Sequence, residues 1–163
     1  MDKIIFLDID GVLNSEDLAQ RRVEERKKEY NAGLYTFIDE KAVKIITDIC
    51  EKYNVGLVIS SSWRSTTVEQ TKRDFSDPCY ALLHPIIPYI CGCTPKLGFD
   101  IDRGFEIEKY LMDNPNIKEY VILDDDSDML ECQEDHFIQT SWLHGLTEEH
   151  VPEIKRILKL EDK

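Results

Sequence analysis

The sequence predicts an α/β fold, a three-layer Rossmann-like domain built on a mostly parallel five-stranded sheet. Two observations lead to this prediction. Residues 4–7 (IIFL) are apolar at consecutive positions, which is typical of a strand covered on both faces. Similar short apolar runs then alternate along the chain with segments of helical periodicity, and strands that alternate with helices favour a parallel sheet.

Four more strands are predicted downstream of the first. Their sequences are VGLVIS (55–60), IIPYICGC (86–93), EYVILDD (119–125) and HFIQT (136–140). The second of these, which is the third strand of the chain, contains Pro88, and proline is poorly tolerated in a central strand because it has no N–H to donate to the sheet.

Helices are predicted between these strands. Apolar residues at positions 42, 43, 46, 49, 50 and 53 share one face of a helix that Asn54 can end. The charge-dense residues 15–37 are expected to form a flap or a surface helix. The signals for the other helices are a Thr66-x-x-Glu69 capping box, Asp102 before residues 104–113, and Pro152 within residues 146–160.

The composition limits the classes of protein to be considered. A chain of 163 residues that is 42% hydrophobic and 33% charged is expected to form a single domain over residues 1–163. Its net charge of −13 argues against general nucleic-acid binding and against a membrane surface. Five cysteines, an odd number in a chain without an export signal, favour reduced thiols and a cytoplasmic location.

Polar residues follow three of the predicted strands where those strands end. Because the carboxyl ends of parallel strands meet at one edge of a sheet, we expect these groups to converge. Carboxylates that crowd together repel one another unless a cation is bound, and oxygen ligands suit Mg²⁺. Taken alone, Asp8, Asp10 and Gly11 also fit the end of a strand followed by an Asp-Gly turn. The groups are Asp8, Asp10 and Gly11, then Ser60, Ser61 and Ser62, then Asp124, Asp125, Asp126 and Asp128.

Four segments in the same order resemble the motifs of the haloacid dehalogenase superfamily of aspartate-nucleophile phosphohydrolases. They are FLDIDGVLN, LVISSSWR, RGFEIEKYL and VILDDDSD, and they extend over residues 4–128. The residues of these four motifs are most similar to those of small members of the superfamily without a cap domain, some of which are found in nucleic-acid repair proteins. Residues 15–37 and 66–102, where larger members insert caps, are too short for a folded cap, so no large cap domain is expected.

The resemblance implies a role for each motif residue. Asp8 would be the nucleophile and Asp10 the general acid and base. Mg²⁺ would be bound by the Asp8 carboxylate, the Asp10 backbone carbonyl and Asp125, with Asp124 or Asp128 as a further candidate. Ser60 and Ser61 would hydrogen-bond the phosphoryl oxygens. The cation beside them would be Arg103 or Lys96, and the position of Arg103 at a helix start favours Arg103.

The resemblance therefore implies a Mg²⁺-dependent phosphomonoester hydrolase that forms an aspartyl-phosphate. An open site would admit a phosphorylated small molecule, a phosphoprotein or a nucleic-acid end. The alternative is a phosphate-accepting signalling or binding module of the receiver type, without steady turnover. Arg64 is left open between a phosphate contact and a surface position, whereas Trp63 and Trp142 are expected to pack inside the protein.

Overall fold

A five-stranded parallel sheet forms the centre of the computed structural model, which describes residues 1–26 and 37–161. The strands lie in the order β3-β2-β1-β4-β5, and every neighbouring pair is parallel. This arrangement confirms the predicted α/β, Rossmann-like fold. The strands are β1 (Lys3–Leu7), β2 (Gly56–Ile59), β3 (Ile90–Cys93), β4 (Glu119–Asp124) and β5 (Phe137–Gln139).

Helices connect the strands and cover both faces of the sheet. They are α1 (Glu16–Arg26), α2 (Glu40–Tyr53), α3 (Val68–Phe75), α4 (Arg103–Asp113) and α5 (Val151–Ile157). Short 3₁₀ segments at Pro78–Tyr89, Glu131–His136 and Glu148–His150 complete the connections. No helix among the described residues is long and apolar enough to cross a membrane.

The central strand β1 is buried on both faces, as its consecutive apolar residues predict. Ile5 and Leu7 belong to the larger core, which includes the apolar face of α2 and part of α5. Ile4 and Phe6 point the other way and pack with Ile107 of α4 in a second cluster. Because strand side chains alternate between faces, β1 contributes side chains to the hydrophobic core on both sides of the sheet.

Helix α2 ends where the sequence predicts, at Asn54. The Asp39 side chain accepts a hydrogen bond from the backbone N–H of Lys41 at 2.8 Å, which caps the first turn. Asn54 adopts a left-handed conformation with φ of 55° and ends the helix. The chain then enters β2 directly, and β2 leads to the serines of the second motif.

Three predicted features differ from the structure. The third strand is only four residues long, because Pro85 and Pro88 lack the N–H groups that a strand would need, and residues up to Tyr89 form a 3₁₀ segment. The capping residue of α3 is Thr67 rather than Thr66, and it accepts from the N–H of Gln70. Trp142 does not pack inside the protein, since 60% of its surface is exposed.

The two segments in which a cap would be inserted contain small elements. Residues 66–102 supply α3, a 3₁₀ segment and β3. Of residues 15–37, the first part forms α1, and residues 27–36 lie outside the described part of the chain. The prediction of a flap or surface helix for residues 15–37 can therefore be compared with the structure only over its described residues, and for residues 27–36 it stays a prediction.

Candidate active site

The carboxyl ends of β1, β2 and β4 bring their polar residues to one edge of the sheet. Backbone hydrogen bonds continue beyond the strands and fix these ends against one another. The N–H of Asp8 donates to the carbonyl of Leu123, and the N–H of Ser60 donates to that of Leu7, both at 3.0 Å. Asp124 ends β4, so its side chain belongs to the same edge.

Gly11 lets the chain turn sharply after Asp10. Its φ of 67° is unfavourable for residues with a side chain, and a Cβ at this position would overlap the carboxyl group of Asp125. The turn is fixed by Asn14, whose Oδ1 accepts from the N–H of Gly11 at 2.8 Å, and by Thr140, whose hydroxyl donates to the Gly11 carbonyl at 2.7 Å. The glycine therefore allows the Asp125 carboxylate to approach the first motif.

Arg103 lies between two carboxylates of this edge. Its Nη1 is 3.2 Å from Oδ1 of Asp8, and its Nε is 3.1 Å from Oδ2 of Asp124. The backbone N–H of Arg103 donates to the Asp128 side chain at 2.9 Å, which fixes the start of α4. Burial acts to lower the pKa of Arg103, but Asp8, Asp124 and Asp128 outweigh it and raise that pKa. The guanidinium is therefore a permanent positive charge.

Three carboxylates remain crowded despite this cation. Asp8, Asp124 and Asp125 each present an oxygen, and these oxygens lie within 4.8 Å of one another. Burial, followed by repulsion from Asp8, raises the pKa of Asp124 to about 8. Burial also raises the pKa of Asp8, against the opposing effects of Arg103 and a hydrogen bond from Ser61. Burial and then Asp126 raise the pKa of Asp125.

Several buried polar atoms at this edge have no hydrogen-bond partner among the described residues. They are Oγ of Ser60, Oγ1 of Thr94, Oδ1 of Asp128 and Oδ2 of Asp124, the last of which has an ion pair with Nε of Arg103 at 3.1 Å but no hydrogen bond. A buried polar group without a partner costs about 1–3 kcal/mol, so native proteins rarely keep one without a reason. Since these four atoms follow β2, β3 and β4, the edge has unused capacity for oxygen-rich or cationic ligands.

Asp10 is held by two neutral donors. The indole Nε1 of Trp63 donates to its Oδ2 at 2.7 Å, and the amide of Asn14 donates to its Oδ1 at 2.8 Å. The Trp63 ring in turn packs edge-on against Tyr80, with centroids 5.5 Å apart. The sequence prediction that Trp63 only packs is incomplete, and the role of Asn14 is not predicted at all.

A family model described as the HAD domain in Swiss Army Knife RNA repair proteins matches residues 4–151. The chain belongs to this family. It is therefore a member of the haloacid dehalogenase (HAD) superfamily, as its motifs predict. Neither the curated proteins nor the solved structures contain a significant match to it. Membership of an RNA-repair HAD family suggests activity of the phosphoesterase type, and HAD domains generally use Mg²⁺.

The donor set of this HAD domain fits such a metal. Asp8, Asp124 and Asp125 offer only carboxylate oxygens, the ligands that Mg²⁺ prefers. Of the two further candidates, Asp124 lies in this cluster, whereas one oxygen of Asp128 accepts the N–H of Arg103. The side chain of Asp10 faces Trp63 and Asn14 instead.

The candidate cations of the HAD domain occupy very different surroundings. Arg103 reaches Asp8, whereas Lys96 is exposed on the loop after β3. Arg64 is neither on the surface nor directed at Asp8, Asp124 or Asp125. Its guanidinium is buried, donates to the Ser60 and Ser61 carbonyls at 3.1 and 2.7 Å, and pairs with Glu106 at 2.5 Å. Through these hydrogen bonds Arg64 fixes the backbone of the serine loop, which is residues 60–62.

Proposed function

We propose that this HAD domain is a Mg²⁺-dependent phosphomonoester hydrolase that forms an aspartyl-phosphate on Asp8. One observation carries the proposal. The Asp8 carboxylate is 4% exposed, lies 3.2 Å from the Arg103 guanidinium, and shares its edge with Asp124 and Asp125. A nucleophile, a fixed cation and a set of oxygen ligands for a metal are thus close together, which is what attack on an anionic phosphoryl group needs.

The reaction would proceed in two steps on this chain's own residues. In the first, an Asp8 oxygen bonds to phosphorus, the bond between phosphorus and the ester oxygen breaks, and Asp10 gives a proton to the departing oxygen. In the second, water attacks the phosphorus of the aspartyl-phosphate, and Asp10 takes the proton from that water. The Asp8 carboxylate and inorganic phosphate are then released.

The hydrogen bonds to Asp10 support this assignment. Trp63 and Asn14 hold both oxygens, so the side chain is fixed in one orientation two residues from the nucleophile. A group that donates and later accepts a proton must keep its position through both steps, and a fixed rotamer satisfies this condition.

The phosphoryl oxygens would be bound by Ser60, Ser61 and Arg103. The Ser60 hydroxyl is fully buried at this edge and lacks a partner among the described residues, so it is free to donate to a bound phosphoryl group. Ser61 accepts the N–H of Trp63 at 3.2 Å, which orients its hydroxyl toward Asp8. Arg103 would neutralise charge that develops on the phosphoryl oxygens.

Mg²⁺ would be held by the carboxylates of Asp8 and Asp125 and by the backbone carbonyl of Asp10, with Asp124 beside them. When bound, it would screen the negative charge of the phosphoryl group from the attacking carboxylate. The raised pKa values of Asp8, Asp124 and Asp125 fit this assignment, because burial above all, and neighbouring carboxylates in addition, make these groups hold protons more tightly when no cation is bound.

A phosphorylated nucleic-acid end is the substrate class that we propose. The family description names RNA repair proteins, and the segments that could carry a cap hold only small elements in their described parts. The net charge of −13 argues that only the end of the strand is bound, without general affinity for nucleic acid.

The test measures release of inorganic phosphate from an aryl phosphate and from phosphorylated oligonucleotides, with Mg²⁺ and with excess chelator. We expect turnover with Mg²⁺ and none with chelator. Asp8→Asn should abolish it, while Asp48→Asn, an exposed aspartate paired with Lys44 on α2, should keep it. A receiver-like module would instead incorporate one phosphoryl group without steady turnover, and that result would replace the proposal.

A further inference from the structure

The loop between β3 and α4, together with the first turn of α4, exposes an unusual set of apolar side chains. Phe99 is 99% exposed, and Leu97, Ile101 and Phe105 are each more than 40% exposed. Scattered single apolar residues are normal on protein surfaces, but several large ones close together in the sequence commonly mark a binding site. The exposed apolar residues within 97–105 therefore indicate a candidate binding surface.

Phe99 lies in a turn of this loop, between two residues with positive φ. Gly98 and Asp100, on either side of it, have φ of 141° and 63°, and the chain turns at residues 99–100. Before the turn, the N–H of Leu97 donates to Oε1 of Glu106 at 3.1 Å. After it, Arg103 is anchored to Asp8. One end of the loop is therefore held by Glu106, the partner of Arg64, and the other is held at the candidate active site by Arg103.

The position of Phe99 relative to that site follows from the chain itself. Phe99 precedes Arg103 by four residues, which span at most about 14 Å even when fully extended. The loop follows β3, so it rises from the same edge of the sheet as Asp8. A substrate whose phosphate lies at Asp8 and Arg103 thus has Phe99 within the reach of its last one or two nucleotides.

We infer that Phe99 is a stacking platform for the base of the terminal nucleotide of a single-stranded nucleic acid whose phosphate lies at Asp8 and Arg103. The inference rests on the proposed function and extends it to a specific contact. An aromatic ring that is 99% exposed offers a flat apolar face, and stacking on such a face is the sequence-tolerant way in which proteins bind single strands.

The charge of the loop points to stacking rather than to backbone attraction. Lys96 is balanced by Asp100 and Asp102, so the loop carries no excess of positive charge. Affinity for the strand beyond its terminal phosphate must then come from the base. Accordingly, Phe99→Ala should weaken binding without changing the slope of log KM against log salt, since that slope counts phosphate contacts.

The experiment compares short oligoribonucleotides that carry a terminal phosphate, at either end, with matched oligonucleotides whose phosphorylated terminal residue is abasic. For the wild-type chain we expect a higher kcat/KM with the base present. Phe99→Ala should reduce that preference by about five- to a hundredfold, mainly through KM, the range found for one stacked base. Phe99→Trp should retain it. Met112→Ala, which truncates an exposed apolar residue at the far end of α4, should also retain it.

Any one of three other outcomes would overturn the inference that Phe99 is a stacking platform. These outcomes are a wild-type enzyme without preference for the base, a Phe99→Ala variant that keeps the preference, and a phosphopeptide whose turnover depends on Phe99 equally. If glycerol phosphate is hydrolysed in an Asp8-dependent way but oligonucleotides are not, the platform and the proposed substrate class are wrong, whereas the assignment as a phosphomonoester hydrolase stands. If no phosphomonoester is hydrolysed, the proposed function fails, and equal affinity of wild type and Phe99→Ala for a labelled oligonucleotide overturns the platform independently.

Discussion

The indole N–H of Trp63 reaches the carboxylate of Asp10 at 2.7 Å across 53 positions of the sequence. This bond ties the second motif to the first and, through the contact of Trp63 with Tyr80, to the 3₁₀ segment before β3. The orientation of the proposed general acid and base thus depends on a residue outside the motif that contains it.

Trp63→Phe should lower turnover, because it removes the hydrogen bond to Asp10 while keeping an aromatic ring against Tyr80. We expect a decrease of about tenfold for alkyl phosphates, a part of the hundred- to ten-thousandfold that general acid–base catalysis contributes. Aryl phosphates, whose leaving groups need little protonation, should be affected less. Steady-state kinetics with both substrates measure this. Trp142→Phe, at an exposed tryptophan, is the control. Equal losses with the two substrates would contradict a role through Asp10.

Asp10→Asn should separate the two chemical steps. The variant keeps the nucleophile but lacks the group that activates water, so the aspartyl-phosphate should accumulate. Turnover should fall by about a hundred- to ten-thousandfold, and less for aryl than for alkyl phosphates. Intact mass spectrometry after acid quenching should detect an added phosphoryl group. That adduct should be missing from Asp8→Asn, and an adduct that persists in Asp8→Asn would move the nucleophile to another residue.

Arg103→Ala should reduce turnover far more than Lys96→Ala. Arg103 contacts Asp8 and Asp124, whereas Lys96 is exposed, so only the first substitution removes the charge beside the nucleophile. Loss of one such electrostatic donor costs about a hundred- to a thousandfold in kcat. Phosphate release under saturating substrate measures this, and Arg103→Lys should recover part of it. The reverse order of effects would assign the role to Lys96.

The sheet and the position of the site could be predicted because their signals are local. Consecutive apolar residues identify β1, and the residues directly after β1, β2 and β4 converge for topological reasons alone. The roles of Trp63 and Arg64 depend on partners 53 and 42 positions away, Asp10 and Glu106. The periodicity of apolar residues along the sequence does not predict such long-range pairs. The only signal was the position of Trp63 and Arg64 directly after the serines of the second motif.

Mg²⁺ should stabilise the protein more at pH 8 than at pH 5.5. Burial and then Asp8 raise the pKa of Asp124 to about 8, and the pKa values of Asp8 and Asp125 are also raised. The metal-free folded chain therefore binds more protons than the unfolded chain above the ordinary aspartate pKa of 3.8. These groups contribute fully to the stability of the metal-free chain at low pH, and this contribution is lost as the pH rises through 8.

Bound Mg²⁺ removes this loss, because it neutralises the ionised carboxylates. At a hundredfold excess over Kd we expect the melting temperature to rise by roughly 5–10 °C at pH 8, with a smaller rise at pH 5.5, where protons compete with the metal. Thermal melts with Mg²⁺ or chelator at both pH values measure this. A rise that is equal at both pH values, or none at all, would argue against a metal site at Asp8, Asp124 and Asp125.

Arg64→Met should destabilise the fold, because it leaves Glu106 without its buried partner. The Arg64 and Glu106 side chains are only 4% and 10% exposed. Removing one member of such a pair typically costs about 3–5 kcal/mol, whereas replacing both with apolar residues is often neutral. Urea unfolding should therefore give a large loss for Arg64→Met and a partial recovery for the double variant Arg64→Met, Glu106→Met. Lys109→Met, which breaks an exposed ion pair with Asp113 on α4, is the control and should cost little.

Activity should not follow stability in this series. Arg64 donates to the carbonyls of Ser60 and Ser61, and its Nε donates to that of Thr94 at 2.9 Å. The double variant restores packing but none of these bonds, so the serine hydroxyls lose their fixed position. We expect its kcat to stay at least tenfold below wild type when its unfolding free energy has largely returned. If kcat recovers together with stability, Arg64 contributes to the fold alone, and the serine loop keeps its shape without it.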